Sequence, residues 1–278
     1  EHAVLHLLYS RFWHHVLYDL GLVSTREPFK RLVNQGMILG EDGQKMSKSR
    51  GNVINPDDMI KEYGADTLRM YEMFMGPLEQ VKPWSTQSAA GVYKFLNRVW
   101  NLVIDQDGAI KQSIVADDTD DLDTLAIEKA LHRTIKKVTE DLDAMKFHTA
   151  IAQLMTFSNE AAAAPRIPRR VIKAFILLLA PFVPHIAEEL WQRLGGEITL
   201  AYQPWPGFDA GLAKLDTVTI AVQVNGKLRD TLEAAPECTE GELLSQAKAL
   251  PKVQGYLLGK TMVREIVVPK RLVNFVVK

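Results

Sequence analysis

Cysteine is almost absent from this sequence of 278 residues, in which Cys238 is the only one. A single thiol excludes an internal disulfide and any zinc site built on several cysteines, and it is typical of a reducing compartment. Long apolar runs are lacking too: the longest candidate, residues 174–183, is interrupted by Pro181 and is too short to span a bilayer. We therefore expect no membrane segment and a cytoplasmic location.

The sequence also lacks net charge, because 33 basic and 34 acidic residues leave a formal charge of −1. Without an overall basic field, contact with a nucleic acid would depend on local patches of cations. The histidines His132, His148 and His185 show no metal-ligand spacing, so no metal site is predicted. What is present is 47% hydrophobic residues, enough for the core of about two domains or one large one.

Apolar residues spaced near 3.6 predict helices along most of the first 195 residues. The first predicted helix covers 3–20, and a short strand around Ile38 and a polar loop at 41–52 follow it. Asn55 and Pro56 suit the cap and first position of a helix that ends at Gly64. The further predicted helices cover 65–75, 89–103, 125–145, 147–164, 169–180 and 184–195, and the last five indicate a helical bundle.

The hydrophobic period changes to two after an extended linker at 202–209. Residues 217–234 alternate around Asn225-Gly226, which is a strong signal for a two-residue hairpin. Thr239 with Glu242 predicts a capping box at the start of a helix over 240–250. Segments 261–269 and 271–278 then predict two more strands, so the tail is predicted to be a small α+β module.

The polar segment EDGQKMSKSRGN, residues 41–52, carries the cations Lys45, Lys48 and Arg50. Gly43 and Gly51 allow the backbone to hinge on either side of them. Lysines on a mobile loop can close on a triphosphate and stabilise its charge more in the transition state than in the ground state. A solvated basic turn is the alternative, and the segment alone does not decide between the two.

The context of this segment carries a family resemblance. KMSKS, residues 45–49, matches letter for letter the second signature of class I aminoacyl-tRNA synthetases, and it stands in their order of strand, signature, capped helix and helical bundle. The flanking residues 1–21, 181–195 and 222–230 (EHAVLHLLYSRFWHHVLYDLG, PFVPHIAEELWQRLG and VQVNGKLRD) resemble the bacterial leucyl-tRNA synthetases. The resemblance spans nearly the whole chain and favours leucine over isoleucine and valine.

The resemblance implies leucine and ATP as substrates, Mg²⁺ accompanying the ATP through its phosphates, and tRNA(Leu) as the partner. Lys48 and, second, Lys45 are the implied catalytic residues, acting on the ATP phosphates. The residues of the signature implied to bind ATP are Lys45, Met46, Ser47, Lys48 and Ser49.

The start of the chain has two interpretations. The resemblance implies that Glu1 accepts hydrogen bonds from the ribose hydroxyls and that His2 lies beside the nucleotide. The alternative is a helix N-terminus with a favourable acidic residue. Met37 and Ile38 could line the adenine pocket, but core packing is the better interpretation of Ile38.

The first signature of the class, HIGH, is not found. His14 and His15 lie within the predicted helix 3–20 and lack the glycine that the signature requires. The family's leucine pocket and its inserted editing domain are not found either. Because half of the ATP site is missing and the chain starts at Glu1 rather than Met, we expect one half of a split enzyme or a fragment.

The chain alone is therefore expected to be inactive and to need an N-terminal catalytic half as a partner. The alternatives are a stand-alone tRNA-binding module without catalysis, and part of a valyl- or isoleucyl-tRNA synthetase.

The implied fold class is multidomain: the end of a Rossmann-like α/β catalytic domain, then an all-α helical bundle, then a small α+β C-terminal domain. Residues 1–52 would end the catalytic domain with the KMSKS loop, and 53–84 would form a connecting helical segment. Residues 85–205 would form a bundle of the anticodon-binding type, and 206–278 a tRNA-binding domain.

Cations on the bundle and the tail could contact RNA phosphates, although a solvated helix face is the alternative for each one singly. In the bundle these are Lys94, Arg98, Arg133, Lys136 and Lys137. In the tail they are Lys227, Arg229, Lys252, Lys260, Arg264, Lys270 and Arg271.

Overall fold

The computed structural model describes residues 5–117, 122–214 and 218–278. Glu1 and His2, for which we predict contacts with the nucleotide, lie outside the described residues. The helices are α1 (Leu5–Asp19), α2 (Pro56–Tyr63), α3 (Ala65–Phe74), α4 (Thr86–Val103), α5 (Leu122–Asp143), α6 (Phe147–Ala163), α7 (Arg169–Leu179), α8 (Pro184–Arg193), α9 (Glu240–Ala249) and α10 (Pro251–Leu257).

The strands form one larger sheet and two short parallel pairs. They are β1 (Ile38–Leu39), β2 (Lys82–Pro83), β3 (Ile114–Val115), β4 (Ile167–Pro168), β5 (Val218–Val224), β6 (Lys227–Ala234), β7 (Met262–Val268) and β8 (Leu272–Val277). All the predicted helices are found, and α10 is an addition. The strand predicted around Ile38 is found, but it has only two residues. None of the described helices combines the length and apolar character that crossing a membrane requires.

Side-chain caps set several helix starts. Asn55 Oδ1 accepts a hydrogen bond from the backbone N–H of Asp57 at 3.2 Å, as the sequence predicts. The capping box of Thr239 and Glu242 at α9 is also confirmed. Helix α4 begins earlier than predicted, because Ser85 Oγ accepts a hydrogen bond from the N–H of Ser88 at 3.2 Å and so caps the preceding turn.

Helices α2 to α8 share one hydrophobic core. Its largest fully buried side chains include Met70, Phe95, Phe157, Phe175 and Phe182. Burying a side chain of this size contributes roughly 1.5–3 kcal/mol. Helix α1 differs from all of these, because it has no buried residue and most of its apolar side chains are exposed.

A buried carboxylate joins α3 to α8. Asp66 Oδ2 accepts a hydrogen bond from the backbone N–H of Ile186 at 2.8 Å, and Asp66 Oδ1 lies 2.8 Å from Nδ1 of His185. Asp66 therefore caps a helix that is distant in sequence but adjacent in space.

The C-terminal sheet has its own hydrophobic core and the strand order β6-β5-β8-β7. Its two central strands, β5 and β8, are parallel, and each pairs with its edge strand in antiparallel fashion. Helices α9 and α10 contribute Leu243, Ala247 and Val253 to this core. The periodicity did not reveal α10, in which Gly255 weakens the helical propensity, while tertiary burial of Val253 favours the helix.

The turn between β5 and β6 is the predicted Asn-Gly hairpin. Asn225 and Gly226 have φ values of 52° and 75°, as a type I′ turn requires. The Asn225 side chain also reaches the neighbouring central strand: Nδ2 donates to the carbonyl of Val277 at 3.1 Å, and Oδ1 accepts from its N–H at 2.9 Å. One residue thus fixes the turn and its contact with β8.

We predict that Asn225→Ala destabilises this sheet. The left-handed backbone costs an alanine about 1–2 kcal/mol, and each lost hydrogen bond adds about 1 kcal/mol. Asn225→Gly loses the hydrogen bonds but tolerates the turn, so its effect should be smaller. Amide hydrogen exchange in β5 and β8 measures both changes. Wild-type protection in the alanine variant would contradict this account of the turn.

Candidate functional site

The signature loop, residues 40–52, lies between β1 and α2. It starts with a tight turn in which the N–H of Gly40 donates to the carbonyl of Gln44 at 2.9 Å, and Leu39 forms an isolated antiparallel bridge with Lys45. Lys48–Arg50 make one 3₁₀ turn. Gly43 and Gly51, at φ 70° and 68°, have the left-handed backbone that suits the hinge positions inferred from the sequence.

The polar residues of KMSKS lie together on the outside of this loop. Lys45, Lys48 and Ser49 are exposed, and the hydroxyl oxygens of Ser47 and Ser49 are 3.2 Å apart. Among the described residues, the ammonium group of Lys48 has no hydrogen bond or ion pair. This arrangement presents positive charge and hydroxyl donors to solvent, which is what an incoming polyphosphate requires.

Met46 has the opposite orientation. Its half-buried side chain packs against the main hydrophobic core, as do those of Ile38 and Ile54. It lines a cavity of about 140 Å³ together with Leu68 and Trp84. Met46 therefore anchors the signature to the helices, and its predicted contact with ATP stays a prediction.

The base of the loop is joined to the start of α4. The N–H of Trp84 donates to the carbonyl of Leu39 at 2.9 Å, next to the parallel pairing of β1 with β2. Glu41 Oε1 accepts a hydrogen bond from the N–H of Thr86, the first residue of α4, at 2.9 Å. The buried Tyr71 of α3 accepts a hydrogen bond at its hydroxyl from the N–H of Ser85 at 3.0 Å.

Two acidic side chains support this region. Hydrogen bonds from the backbone and side chain of Thr86 hold the pKa of Glu41 below its usual range. The N–H of Gln44 and, second, the Asn52 side chain lower the pKa of the Asp42 carboxyl group. Both groups are therefore stabilised as carboxylates by donors that they bind directly.

Some of the cations predicted to contact RNA are paired with carboxylates, and others are not. In the bundle, Arg133 pairs with Glu160 at 3.5 Å and Lys137 with Asp141 at 2.6 Å. The other three, Lys94, Arg98 and Lys136, are exposed and form no ion pair within the described ranges.

The tail shows the same mixture. Lys252 lies 3.5 Å from a carboxylate oxygen of Asp230, and the Arg229 guanidinium lies 3.9 Å above the Tyr256 ring. The other predicted cations of the tail, Lys227, Lys260, Arg264, Lys270 and Arg271, are exposed, as is Lys252. Their contact with RNA stays a prediction.

No group of three or more His, Cys, Asp or Glu side chains in the described part of the chain could hold a metal ion. The KMSKS residues offer ammonium groups and hydroxyls, which suit phosphate oxygens rather than Mg²⁺, and the loop carboxylates of Glu41 and Asp42 accept hydrogen bonds from Thr86, Gln44 and Asn52.

The sequence analysis missed three residues of the loop, Glu41, Asp42 and Asn52. Each is joined to its partner by a hydrogen bond across the loop or to α4, so apolar periodicity gives no signal for it. A weak signal was available, because Asp42-Gly43 is a typical turn pair and Asn52 closes the RGN that follows KMSKS.

Two family models match the chain. Residues 9–85 match the tRNA synthetases class I (I, L, M and V), and residues 125–240 match the anticodon-binding domain of tRNA ligase. The signature loop lies within the first of these segments. The second includes helices α6 to α8.

Known relatives match over the whole chain. It is 55% identical over 278 residues to the leucine--tRNA ligase of Chlorobaculum tepidum, and 53% identical over 277 residues to that of Leptospira biflexa. It spans only 34% and 31% of the lengths of these relatives. Among solved structures, it resembles the Agrobacterium radiobacter K84 agnB2 LeuRS in a ternary complex with tRNA and LeuAMS. The TM-score is 0.64 and the identity 34%, over 100% of this chain and 36% of that one.

The chain therefore has the class I aminoacyl-tRNA synthetase fold with an anticodon-binding domain. Within that class it is homologous along its whole length to leucyl-tRNA synthetases, and it corresponds to the C-terminal third of these relatives.

We predict that the joint between the loop and α4 weakens in acid. A carboxylate whose pKa is lowered by folding contributes stability that is present above its unfolded pKa, about 4.3 for Glu. That stability is lost as pH falls through the folded pKa. Glu41→Gln keeps an acceptor for Thr86 but cannot titrate. Between about pH 6 and pH 3, the thermal unfolding midpoint of the wild type should therefore fall further than that of the variant.

Asp42 titrates in both proteins, so its contribution cancels in the difference between the two curves. Parallel curves over this range would show that the Glu41 carboxylate contributes nothing to the joint.

Proposed function

We propose that this chain is the C-terminal part of a leucyl-tRNA synthetase. In the complete enzyme it would support ATP-dependent activation of leucine to leucyl-adenylate, with release of pyrophosphate, and transfer of leucine to tRNA(Leu). The observation that carries the proposal is the exposed KMSKS loop, braced against a helical core in a chain that is homologous throughout to leucyl-tRNA synthetases.

The role proposed for the loop is electrostatic. Lys48 and, second, Lys45 would contact the phosphates of ATP as negative charge develops on the departing pyrophosphate. Ser47 and Ser49 would add hydroxyl donors. Since Lys48 is exposed and unpaired among the described residues, closing on a phosphate would break no existing ion pair. Mg²⁺, bound to the ATP phosphates, would supply further charge neutralisation.

We also propose the domain division inferred from the sequence. The separate hydrophobic core of the C-terminal sheet supports its last boundary, whereas α2 and α3 share the core of the bundle. Residues 1–52 would be the end of a Rossmann-like catalytic domain and 53–84 the connection. Residues 85–205 would be the helical bundle of the anticodon-binding type, and 206–278 a C-terminal domain that contacts tRNA. Such an enzyme would act in the cytoplasm, in protein biosynthesis.

The surface of α1 supports the expectation that further protein completes the catalytic domain. Three of its apolar side chains are more than half exposed: Leu8 at 59%, Phe12 at 59% and Trp13 at 61%. Contiguous apolar surface of this kind marks a contact with another surface. The relatives are about three times as long as this chain, and we propose that the corresponding N-terminal part covers α1 and supplies the rest of the ATP site.

We predict that Lys48→Ala greatly slows leucine-dependent ATP–pyrophosphate exchange. The assay uses the chain completed by an N-terminal polypeptide that carries HIGH, and the chain alone should show no exchange. Loss of a cation that acts mainly in the transition state should lower kcat by roughly tenfold or more. Binding of tRNA(Leu) should change much less, because the lysine is assigned to ATP.

Lys61→Ala is the matched control, since Lys61 is an exposed lysine on α2, outside the signature. Equal losses of exchange and tRNA binding in Lys48→Ala would contradict the assigned role. Absence of exchange in a completed wild type that forms a stable complex would overturn the proposed activity. Exchange that depends on isoleucine or valine instead of leucine would overturn the substrate.

The homology favours this proposal over a stand-alone tRNA-binding module and over a valyl or isoleucyl enzyme, because the relatives described above match the whole chain and are leucine--tRNA ligases.

A further inference from the structure

Two side chains close the base of the signature loop. Asn52 Nδ2 donates to both carboxylate oxygens of Asp42, at 3.1 Å each. We call this pair the clasp. It joins the residue three positions before KMSKS to the residue three positions after it.

The clasp also holds the backbone of the loop. Asn52 Oδ1 accepts a hydrogen bond from the N–H of Ser47 at 2.9 Å, and Asp42 Oδ1 accepts one from the N–H of Gln44 at 3.0 Å. Asn52 Nδ2 also lies 3.4 Å from the carbonyl of Lys45. The main chain on either side of Met46 is therefore fixed by the same amide group.

Gly40 leaves the space that the clasp occupies. A Cβ atom on Gly40 would lie 2.7 Å from Asp42 Oδ1 and 2.9 Å from Asn52 Nδ2, both closer than real Cβ contacts allow. The clasp is therefore packed directly on the backbone at the end of β1, which is itself bonded to the start of α4 through Glu41. The geometry connects the signature to the helical core through a short, specific path.

The clasp has an electrostatic consequence as well. Asp42 is the carboxylate nearest in sequence to Lys45, and its oxygens already accept hydrogen bonds from Asn52 and Gln44. A carboxylate without these donors would compete with a phosphate for the lysines of the loop. Asn52 thus both positions the loop and satisfies its neighbouring negative charge.

We propose that Asp42 and Asn52 are positioning residues for the signature loop, which hold Lys45 and Lys48 in the geometry that acts on the ATP phosphates. Their role is exerted through the loop backbone, and neither is assigned a contact with substrate. The catalytic part of this inference rests on the proposed function, whereas the clasp itself does not.

Exchanging the two partners provides a sharp test. Asn52→Asp removes the donor and places two carboxylates against each other. Asp42→Asn keeps an amide oxygen as acceptor and should be milder. The double variant Asp42→Asn/Asn52→Asp restores an amide donor facing a carboxylate, and the new carboxylate can still accept from Ser47 N–H. If the double variant regains the properties that Asn52→Asp loses, the two positions are energetically coupled, because independent residues would give additive effects.

The first arm needs no enzymatic activity. Trypsin cleaves after lysine and arginine, and Lys45, Lys48 and Arg50 offer three such sites in the loop. Native-state cleavage reports how often the loop opens. We expect cleavage of the 278-residue chain in this loop to become roughly tenfold faster in Asn52→Asp, as loss of hydrogen bonds to a charged group allows, and to return towards the wild-type rate in the double variant.

The second arm measures leucine-dependent ATP–pyrophosphate exchange by the chain completed with its N-terminal part. Asn52→Asp should lower kcat by roughly tenfold, leave KM for leucine unchanged, and regain most of its kcat in the double variant. Asn97→Asp, the same change at an exposed position of α4, is the control and should match the wild type in both arms. Unchanged thermal midpoints would show that the fold persists.

Each other outcome is decisive. Wild-type cleavage and exchange in Asn52→Asp would overturn the proposal. Faster cleavage with unchanged exchange would establish the clasp but remove its catalytic role. Loss in the single variant without rescue in the double variant would reject the pairing. Absence of exchange in the completed wild type would overturn the proposed function and the catalytic role together, while the cleavage arm would still decide whether the clasp holds the loop.

Discussion

The junction between residues 37–41 and 82–86 is the constraint on which the position of the signature loop depends. The N–H groups of Lys82 and Trp84 donate to the carbonyls of Met37 and Leu39, at 3.0 and 2.9 Å. Glu41 then caps α4. These are main-chain and charge-assisted hydrogen bonds at the edge of a well-packed core, so they fix orientation as well as distance. The loop therefore begins from a rigid base although most of its residues are exposed.

Within the loop, neighbouring side chains point in opposite directions. Met46 is directed into the core, while the lysines on either side of it face solvent. Met46 can attach the loop to the core while the lysines stay available for phosphate, because an apolar side chain does not bind the ammonium groups. The same principle appears in Asp42, whose charge is satisfied by neighbouring donors rather than by a lysine.

The two hydrophobic cores are built differently. The helical core depends on large aromatic residues and on caps between distant segments, such as Asp66 at the start of α8. The C-terminal sheet depends on alternating β-branched residues and on a hairpin whose asparagine also binds the next strand. In both cores, a polar side chain binds a backbone group of another element. This hydrogen bond fixes the relative position of the two elements, which apolar packing alone does not specify.

The elements with strong local signals are predictable from the amino-acid sequence. These include the helices with a 3.6 period, the Asn225-Gly226 hairpin, the Asn55 cap, the capping box at Thr239 and the signature at 45–49. The helices, the caps and the hairpin rest on interactions within a few residues, which a sequence displays directly, and the signature is identified from its five letters.

Features that depend on partners distant in sequence became visible in the folded chain. The two-residue strand β1 exists because it pairs with Lys82–Pro83, and α10 exists because Val253 is buried against the sheet. The clasp between Asp42 and Asn52, the contact of Glu41 with α4 and the inward direction of Met46 follow the same rule. A polar or apolar side chain gains a structural role there only when folding brings its partner within hydrogen-bonding or packing distance, and no local pattern records that distance.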